Sequence, residues 1–115
     1  MAKVAYSGTG DFDAIVKLIV NETTRHGLTC ELKDSSTVTV GEYPAIMLVF
    51  EKYYMRNKSR ASLSVLVTGG DSIHVSAISS GGGVGILLNF TWGAESDFVN
   101  IIASLMESNG FHSIY

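Results

Sequence analysis

The sequence predicts an α+β domain in which an antiparallel sheet of about five strands carries two helices on one face, in the order β-α-β(4-5)-α. Apolar residues recur at helical spacing in two segments, one near each end of the chain. The residues between them alternate apolar with polar and are punctuated by turn-forming residues, which is typical of consecutive antiparallel strands. With 115 residues, the chain is expected to form a single domain over 1–115.

The first strand and the first helix are predicted from the N-terminal residues. Residues 3–8 alternate as a strand does, and Asp11 then offers a carboxylate to the free N–H groups of a helix start. We predict a helix over 11–26, which Gly27 ends. Its apolar stripe consists of Phe12, Ile15, Val16, Ile19 and Val20.

The middle of the chain predicts strands joined by short turns. The expected strands are 28–33, a short edge piece 37–40, 45–55, 63–68, 73–79 and 84–90. The expected turns are Asp34-Ser35-Ser36, the polar tip 56–60 and Gly69-Gly70-Asp71-Ser72. A second helix is predicted over 94–109, with its apolar stripe at Phe98, Ile101, Ile102, Leu105 and Met106.

This element order resembles the helix-grip and TATA-binding-protein-like skeleton, a likeness of topology that transfers no site. Four segments also resemble a family of short, uncharacterised bacterial proteins of unknown function. They are Gly10-Asp11-Phe12-Asp13, Phe50-Glu51-Lys52-Tyr53, Val75-Ser76-Ala77-Ile78-Ser79-Ser80-Gly81-Gly82 and Thr91-Trp92-Gly93. The family resemblance spans most of the chain and implies no catalytic residue.

The composition indicates which classes of partner and which cellular compartment to expect. The formal net charge is −3, which argues against a general nucleic-acid binder, so no nucleic acid is expected. The chain has no apolar run of the length that spans a membrane and no secretory signal, so we expect a cytoplasmic protein with no membrane partner. The single Cys30 agrees, because it excludes an intramolecular disulfide.

The glycine-rich segment Gly81–Gly85 is not expected to bind a nucleotide. A phosphate-binding loop needs a following Lys, a Ser or Thr and a helix N-terminus, whereas an apolar run of strand character follows here. We interpret the segment as a hairpin or a bent strand, with a ligand-facing loop as the alternative. No cofactor is expected.

No catalytic or metal-binding constellation is predicted. His26, His74 and His112 are far apart in sequence, and none has a second ligand type at helical spacing. Cys30 shares the apolar side of its predicted strand and is interpreted as a buried structural thiol. Glu95 and Asp97 suit the first turn of the second helix. We therefore expect a non-enzymatic protein.

Charged residues in the long central strand allow two interpretations. Glu51 interrupts the face that carries Met47, Val49 and Tyr53, and Lys52 lies on the opposite face. Cross-strand ion pairs would explain both, and a polar anchor inside a pocket is the alternative. The tip nearby carries a positive cluster, interpreted as solvated turn charges or as an anion contact, which consists of Lys52, Arg56, Lys58 and Arg60.

Apolar residues occupy both faces of the central strands, but two helices can cover only one face of the sheet. Met47 and Val49 point one way and Leu48 points the other, and the pattern leaves open which face is outward. The leading hypothesis is a module that binds an apolar small molecule in a groove between the sheet and the C-terminal helix. The alternative is an interaction module that homodimerises through its sheet. The candidate ligand or interface residues are Met47, Leu48, Val49, Glu51, Tyr53, His74 and Trp92.

Overall fold

The computed structural model describes residues 2–26, 29–54, 59–81 and 88–114, with the side chains of 54, 59 and 88–96 excluded. The elements are β1 (Ala2–Gly8), α1 (Phe12–Thr24), β2 (Glu31–Val40), β3 (Tyr43–Tyr54), β4 (Ser59–Thr68), β5 (Ile73–Gly81), α2 (Leu88–Ser108) and β6 (His112–Ser113). Among these residues, no helix combines the length and the apolar content that crossing a membrane requires.

The strands form one antiparallel sheet in the order β2-β3-β4-β5-β1-β6. β1 and β5 are neighbours in the sheet although more than half of the chain separates them in sequence. The first strand therefore lies beside the last of the four consecutive strands β2 to β5. The predicted fold class, an antiparallel sheet with two helices, is confirmed.

The core lies between the helices and one face of the sheet. Alternate residues of the central strands are fully buried there, among them Phe50 in β3, Val65 in β4 and Val75 in β5. The helices contribute their apolar stripes, with Ile15 and Ile19 from α1 and, from α2, Phe98, Ile102 and Met106. Burial of such side chains supplies most of the favourable free energy of folding.

The first helix forms where its capping residues predict. The Asp11 carboxylate accepts a hydrogen bond from the Ala14 N–H at 3.0 Å. At the other end the His26 N–H bonds to the Thr23 carbonyl at 3.2 Å, and the helix stops at Thr24. The predicted helix 11–26 is therefore confirmed to within two residues at its C-terminal end.

The turn predicted at Asp34-Ser35-Ser36 is wrong, because these residues lie inside β2. They pair one by one with Val49, Leu48 and Met47 of β3, and a register shift at Lys33 lets the strand continue. Pairing with the long β3 thus overrides the local turn preference of serine and aspartate. All ten residues of β2 are exposed, which leaves it as an open edge of the sheet.

Two further boundaries differ from the predictions. The strand predicted over 84–90 is wrong at Leu88 to Phe90, which form the first turn of α2, and residues 84–87 lie outside the described part. A short apolar run fits a buried helix as well as a strand, so its pattern does not separate the two. Ser59 and Arg60, predicted in the hairpin tip, already belong to β4.

The C-terminal residues attach α2 to β1. The Tyr6 hydroxyl donates to the Glu107 carboxylate at 2.6 Å. The buried Phe111 ring packs against Gly8, where a Cβ atom would lie 2.6 Å from that ring. The Ile114 N–H then bonds to the Ala5 carbonyl at 3.1 Å. One end of the helix is therefore held against the first strand by polar and apolar contacts.

Candidate interaction surface on the outer face of the sheet

The face of the sheet opposite the helices carries most of the candidate residues. We call it the outer face. It is formed by the odd-numbered residues of β1 and β3, the even-numbered residues of β4 and β5, and Glu31, Asp34, Ser36, Val38 and Val40 of β2. Along β3, β4 and β5 these positions alternate with the residues that face the core, because successive side chains of a strand point to opposite faces. On the outer face itself, the small side chains of Ala5 and Ala45 are buried.

Four apolar side chains form a patch at the centre of the outer face. Met47, Leu66 and Ile78 are 45%, 39% and 41% exposed, and Val49 is half-buried. Met47 lies directly opposite Leu66 across the β3–β4 pair. We call these four residues the central patch. They come from three neighbouring strands, so the exposed apolar surface is contiguous across the sheet rather than scattered.

Small hydroxyl side chains surround the central patch. Ser64 lies between Val49 and Ile78 in one cross-strand row, and Ser76 lies beside Leu66 in the next. Ser62, Thr68 and Ser80 extend this pattern to both ends of β4 and β5. Serine projects little above a sheet, so this surface has low relief. A second sheet can approach such a surface at the usual spacing of about 10 Å.

The polar end of the outer face is organised around Arg60. Its guanidinium lies 3.6 Å from the Glu51 carboxylate and 5.8 Å from the centre of the Tyr53 ring. The Thr29 hydroxyl donates to the Tyr53 carbonyl at 2.7 Å. The cross-strand ion pair predicted for Glu51 is therefore confirmed. Both partners are substantially exposed, so the pair contributes little to stability.

A shallow groove of about 330 Å³ lies at this polar end, with Lys52 and Tyr53 both in its wall. Lys52 belongs to the opposite face of β3, since it pairs with the buried Ala61. Two members of the predicted positive cluster, Lys52 and Arg60, therefore lie on different faces of the sheet. The other two, Arg56 and Lys58, lie outside the described residues.

The predicted site residues lie in different parts of the structure. Met47, Val49, Glu51 and Tyr53 share the outer face along β3. His74 is exposed on the same face but at its far end, beside Thr68. Leu48 lies in the core at 1% exposure. Trp92 belongs to α2, and its side chain lies outside the described residues. Of the two faces that the sequence left open, the one with Met47 is outward.

Leu66 and Ile78 are the two residues of the central patch that the candidate set missed. Leu66 stands between two valines, and Ile78 stands between an alanine and a serine. For Leu66 the sequence contains part of the signal, because three consecutive apolar residues in a strand place at least one on each face. Their position beside Met47 depends on strand register, which a single sequence does not state.

One groove among the described residues lies between the two helices rather than beneath α2. It measures about 430 Å³, and its lining includes Glu22 and His26 of the α1 end and Asp97, Asn100 and Ser104 of α2. Where α2 meets the sheet, its side chains are fully buried in the core, namely Phe98, Ile102 and Met106. Within the described part of the chain, no three His, Cys, Asp or Glu residues gather in a metal-binding arrangement.

Cys30 is buried and free, as the sequence predicts. Burial raises the pKa of its thiol, and the nearby Lys52 ammonium partly opposes that shift. A raised pKa keeps the thiol protonated and poorly nucleophilic. Its environment is that of a structural core residue.

Comparison with known proteins places the chain in a family without assigning an activity. A family model described as a family of unknown function, DUF6054, matches residues 1–110. No curated protein and no solved structure matches the chain. The resemblance to an uncharacterised family is confirmed at this level. Since the match covers nearly the whole sequence, the chain belongs to the DUF6054 family of unknown function.

Proposed function

We propose that this protein is an interaction module that associates with a second copy of itself through the outer face of its sheet. The observation that carries the proposal is the central patch. Met47, Leu66 and Ile78 are about two-fifths exposed, side by side, on the face that neither helix covers. Contiguous exposed apolar surface of this kind marks interaction sites in soluble proteins.

Burial of the central patch against a second copy would contribute appreciably to the free energy of association. Fully burying a side chain of this type contributes roughly 1.5–3 kcal/mol, so burying the exposed part of each contributes about 1 kcal/mol. A symmetric pair buries the patch of both copies at once, which doubles the contribution without further sequence. The serine-rich surround adds contact area at little cost in side-chain entropy, because serine has few rotamers to lose.

The outer face is large enough for a stable dimer. Five strands at a spacing of about 4.8 Å, each contributing about eight residues at 3.3 Å, give roughly 600 Å² in projection. The accessible area is larger because side chains corrugate the surface. A standard interface buries about 600–1,000 Å² on each partner, so contact over nearly the whole of this face reaches the lower end of that range.

Binding of an apolar small molecule between the sheet and α2 remains a prediction. The described residues at that junction fill it, whereas the described grooves lie between the helices and along the polar end of the outer face. The groove of about 430 Å³ between the helices has the apolar side chains of Ile101 and Leu105 in its wall together with carboxylate, amide and hydroxyl groups, but it does not lie between the sheet and α2. The observations therefore favour self-association.

Two leucines on opposite faces provide a matched test. Leu66 on the outer face is 39% exposed, and Leu32 on the helix-side face of β2 is 36% exposed. Each is changed to aspartate, and the molar mass is measured by light scattering at matched concentrations. We expect Leu66→Asp to be monomeric and Leu32→Asp to keep the mass of the wild type. A buried charge in a tight interface costs several kcal/mol, which is enough to dissociate a micromolar dimer.

Circular dichroism accompanies both variants, so that loss of the fold is not mistaken for dissociation. Equal masses for the wild type and a folded Leu66→Asp variant would contradict the proposal. Dissociation by Leu32→Asp alone would place the interface on the other side of the sheet and would contradict it as well. If Leu66→Asp does not fold, Ser64→Arg beside it makes the same test at a smaller, more polar position.

A further inference from the structure

We infer that the two copies are related by an axis parallel to β4, so that Lys3 of each copy meets Asp34 of the other. This inference rests on the proposed self-association and specifies its geometry. It comes from the distribution of charge along one row of the outer face. The pairing of the strands defines that row without ambiguity.

The row crosses five strands of the sheet. Asp34 of β2 lies opposite Val49 of β3, which lies opposite Ser64 of β4, then Ile78 of β5 and Lys3 of β1. The row therefore begins with an exposed carboxylate, ends with an exposed ammonium and is uncharged between them. Its two ends are about 19 Å apart, four strand spacings, so they do not meet within one chain.

A twofold axis along the middle strand exchanges the ends of this row. With β4 on the axis, β1 of one copy faces β2 of the other, and the row stays at the same height along the strands. Lys3 then faces Asp34 of the second copy, and symmetry repeats the contact. An axis running across the strands would instead place β2 over β2, bringing the acidic edge with Glu31 and Asp34 against itself. The axis along β4 also places Arg60 over its own symmetry mate, but each Arg60 guanidinium lies 3.6 Å from the Glu51 carboxylate of its own chain, which offsets that like-charge contact. The two contacts between Lys3 and Asp34 therefore favour the axis along β4.

The same axis also produces a fit of large against small side chains. In the adjacent row, Met47 is two strands from Ser76, with Leu66 between them on β4. Rotation about β4 places Met47 over Ser76 of the second copy, and Leu66 over its own symmetry mate. In the charged row, Val49 meets Ile78. Alternation of large and small residues is what lets two sheets interlock at close spacing.

A charge-swap experiment tests this geometry, with sedimentation equilibrium measuring the dimer dissociation constant. Lys3→Glu alone and Asp34→Lys alone each create two like-charge contacts in a homodimer, so each should weaken it about tenfold. When the two variants are mixed, every such contact in the heterodimer again joins opposite charges. We expect the mixture to associate within about threefold of the wild type. Lys17→Glu, an exposed lysine of α1, is the control for net charge and should change nothing.

A zero-length carbodiimide cross-link provides a second measurement. Because about 19 Å separates the two groups within a chain, an amide between Lys3 and Asp34 can form only between copies. We expect that cross-linked peptide in the dimer band and not in a Leu66→Asp sample. A wild-type dimer with neither the cross-link nor recovery on mixing would overturn this axis while leaving self-association intact. A monomeric wild type would overturn the proposed function itself.

Discussion

The two faces of this sheet are built from similar residues but meet different surroundings. Leu48 and Met47 are adjacent in β3, yet the first is 1% exposed and the second is 45% exposed. Val65 and Leu66 repeat the contrast in β4. The difference does not lie in hydrophobicity, because both faces carry large aliphatic side chains. The difference arises because the helices pack against the face that carries Leu48 and not against the face that carries Met47. The fold of one chain therefore leaves apolar side chains of the outer face in contact with water, and the proposed self-association would bury them.

The largest expected effect follows from that contrast. Leu48→Ala should lower the free energy of unfolding by about 2–5 kcal/mol, because it leaves a cavity among fully buried neighbours. Met47→Ala, one residue away, should cost less than about 1 kcal/mol in the monomer, since much of that side chain is already in water. Urea denaturation, at concentrations low enough to keep the chain monomeric, measures both.

Similar losses in the two variants would break the comparison. If Met47→Ala cost as much as Leu48→Ala under monomeric conditions, the outer face would be covered within a single chain. Little apolar surface would then remain on the outer face for a second copy to bury. Met47→Ala should, in contrast, cost more at high protein concentration than at low concentration.

Close packing on the helix side predicts a second, smaller effect at Gly8. A Cβ atom there would lie 2.6 Å from the ring of the buried Phe111, so Gly8→Ala must displace the ring or the strand. Overpacking of this kind costs about 1–3 kcal/mol. Ser7→Ala, the neighbouring position on the outer face, should be nearly neutral. Thermal melts of the two variants measure the difference, and a neutral Gly8→Ala would show that the core at this end is loosely packed.

The contact between Tyr6 and Glu107 predicts a pH dependence on the helix side. The hydrogen bond to the Glu107 carboxylate and burial raise the pKa of Tyr6 from 10.0 to about 12. The folded state thus retains this proton when the unfolded state has lost it, so the stabilisation is complete below about pH 10 and is lost as pH rises toward 12.

Tyr6→Phe should remove this part of the alkaline destabilisation. The free energy of unfolding of the wild type should fall more steeply between about pH 9 and about pH 11 than that of the variant. Urea denaturation at both pH values measures the difference. Tyr53→Phe, on the outer face, serves as the control for the other tyrosines. Equal slopes for the wild type and Tyr6→Phe would contradict the assigned hydrogen bond.

The sequence predicts individual helices and strands better than it predicts which strands pair with each other. Asp11 and the apolar stripe after it predict α1. The alternating direction of side chains along a strand predicts that Met47 and Leu48 lie on opposite faces of β3. Local preference failed at Asp34-Ser35-Ser36, where pairing with β3 holds residues of turn type in a strand. It also failed at Leu88, where a short apolar run fits either element.

Register accounts for what the sequence could not predict of the candidate surface. Met47 was identified from alternation, but its contact with Leu66 depends on how β3 and β4 align. Asp34 and Lys3 are 31 positions apart in sequence and join one row only because β1 returns to pair with β5. Such long-range pairing depends on the packing of the whole chain, and no local pattern encodes it.

Sedimentation equilibrium of the wild-type protein, from about 1 to about 100 μM, tests the central claim most directly. The chain mass is 12.3 kDa. We predict a weight-average mass that rises with concentration toward twice that value, as expected for a reversible dimer joined through the outer face. A mass of 12.3 kDa at every concentration would contradict the account, because the open face would then remain in contact with water.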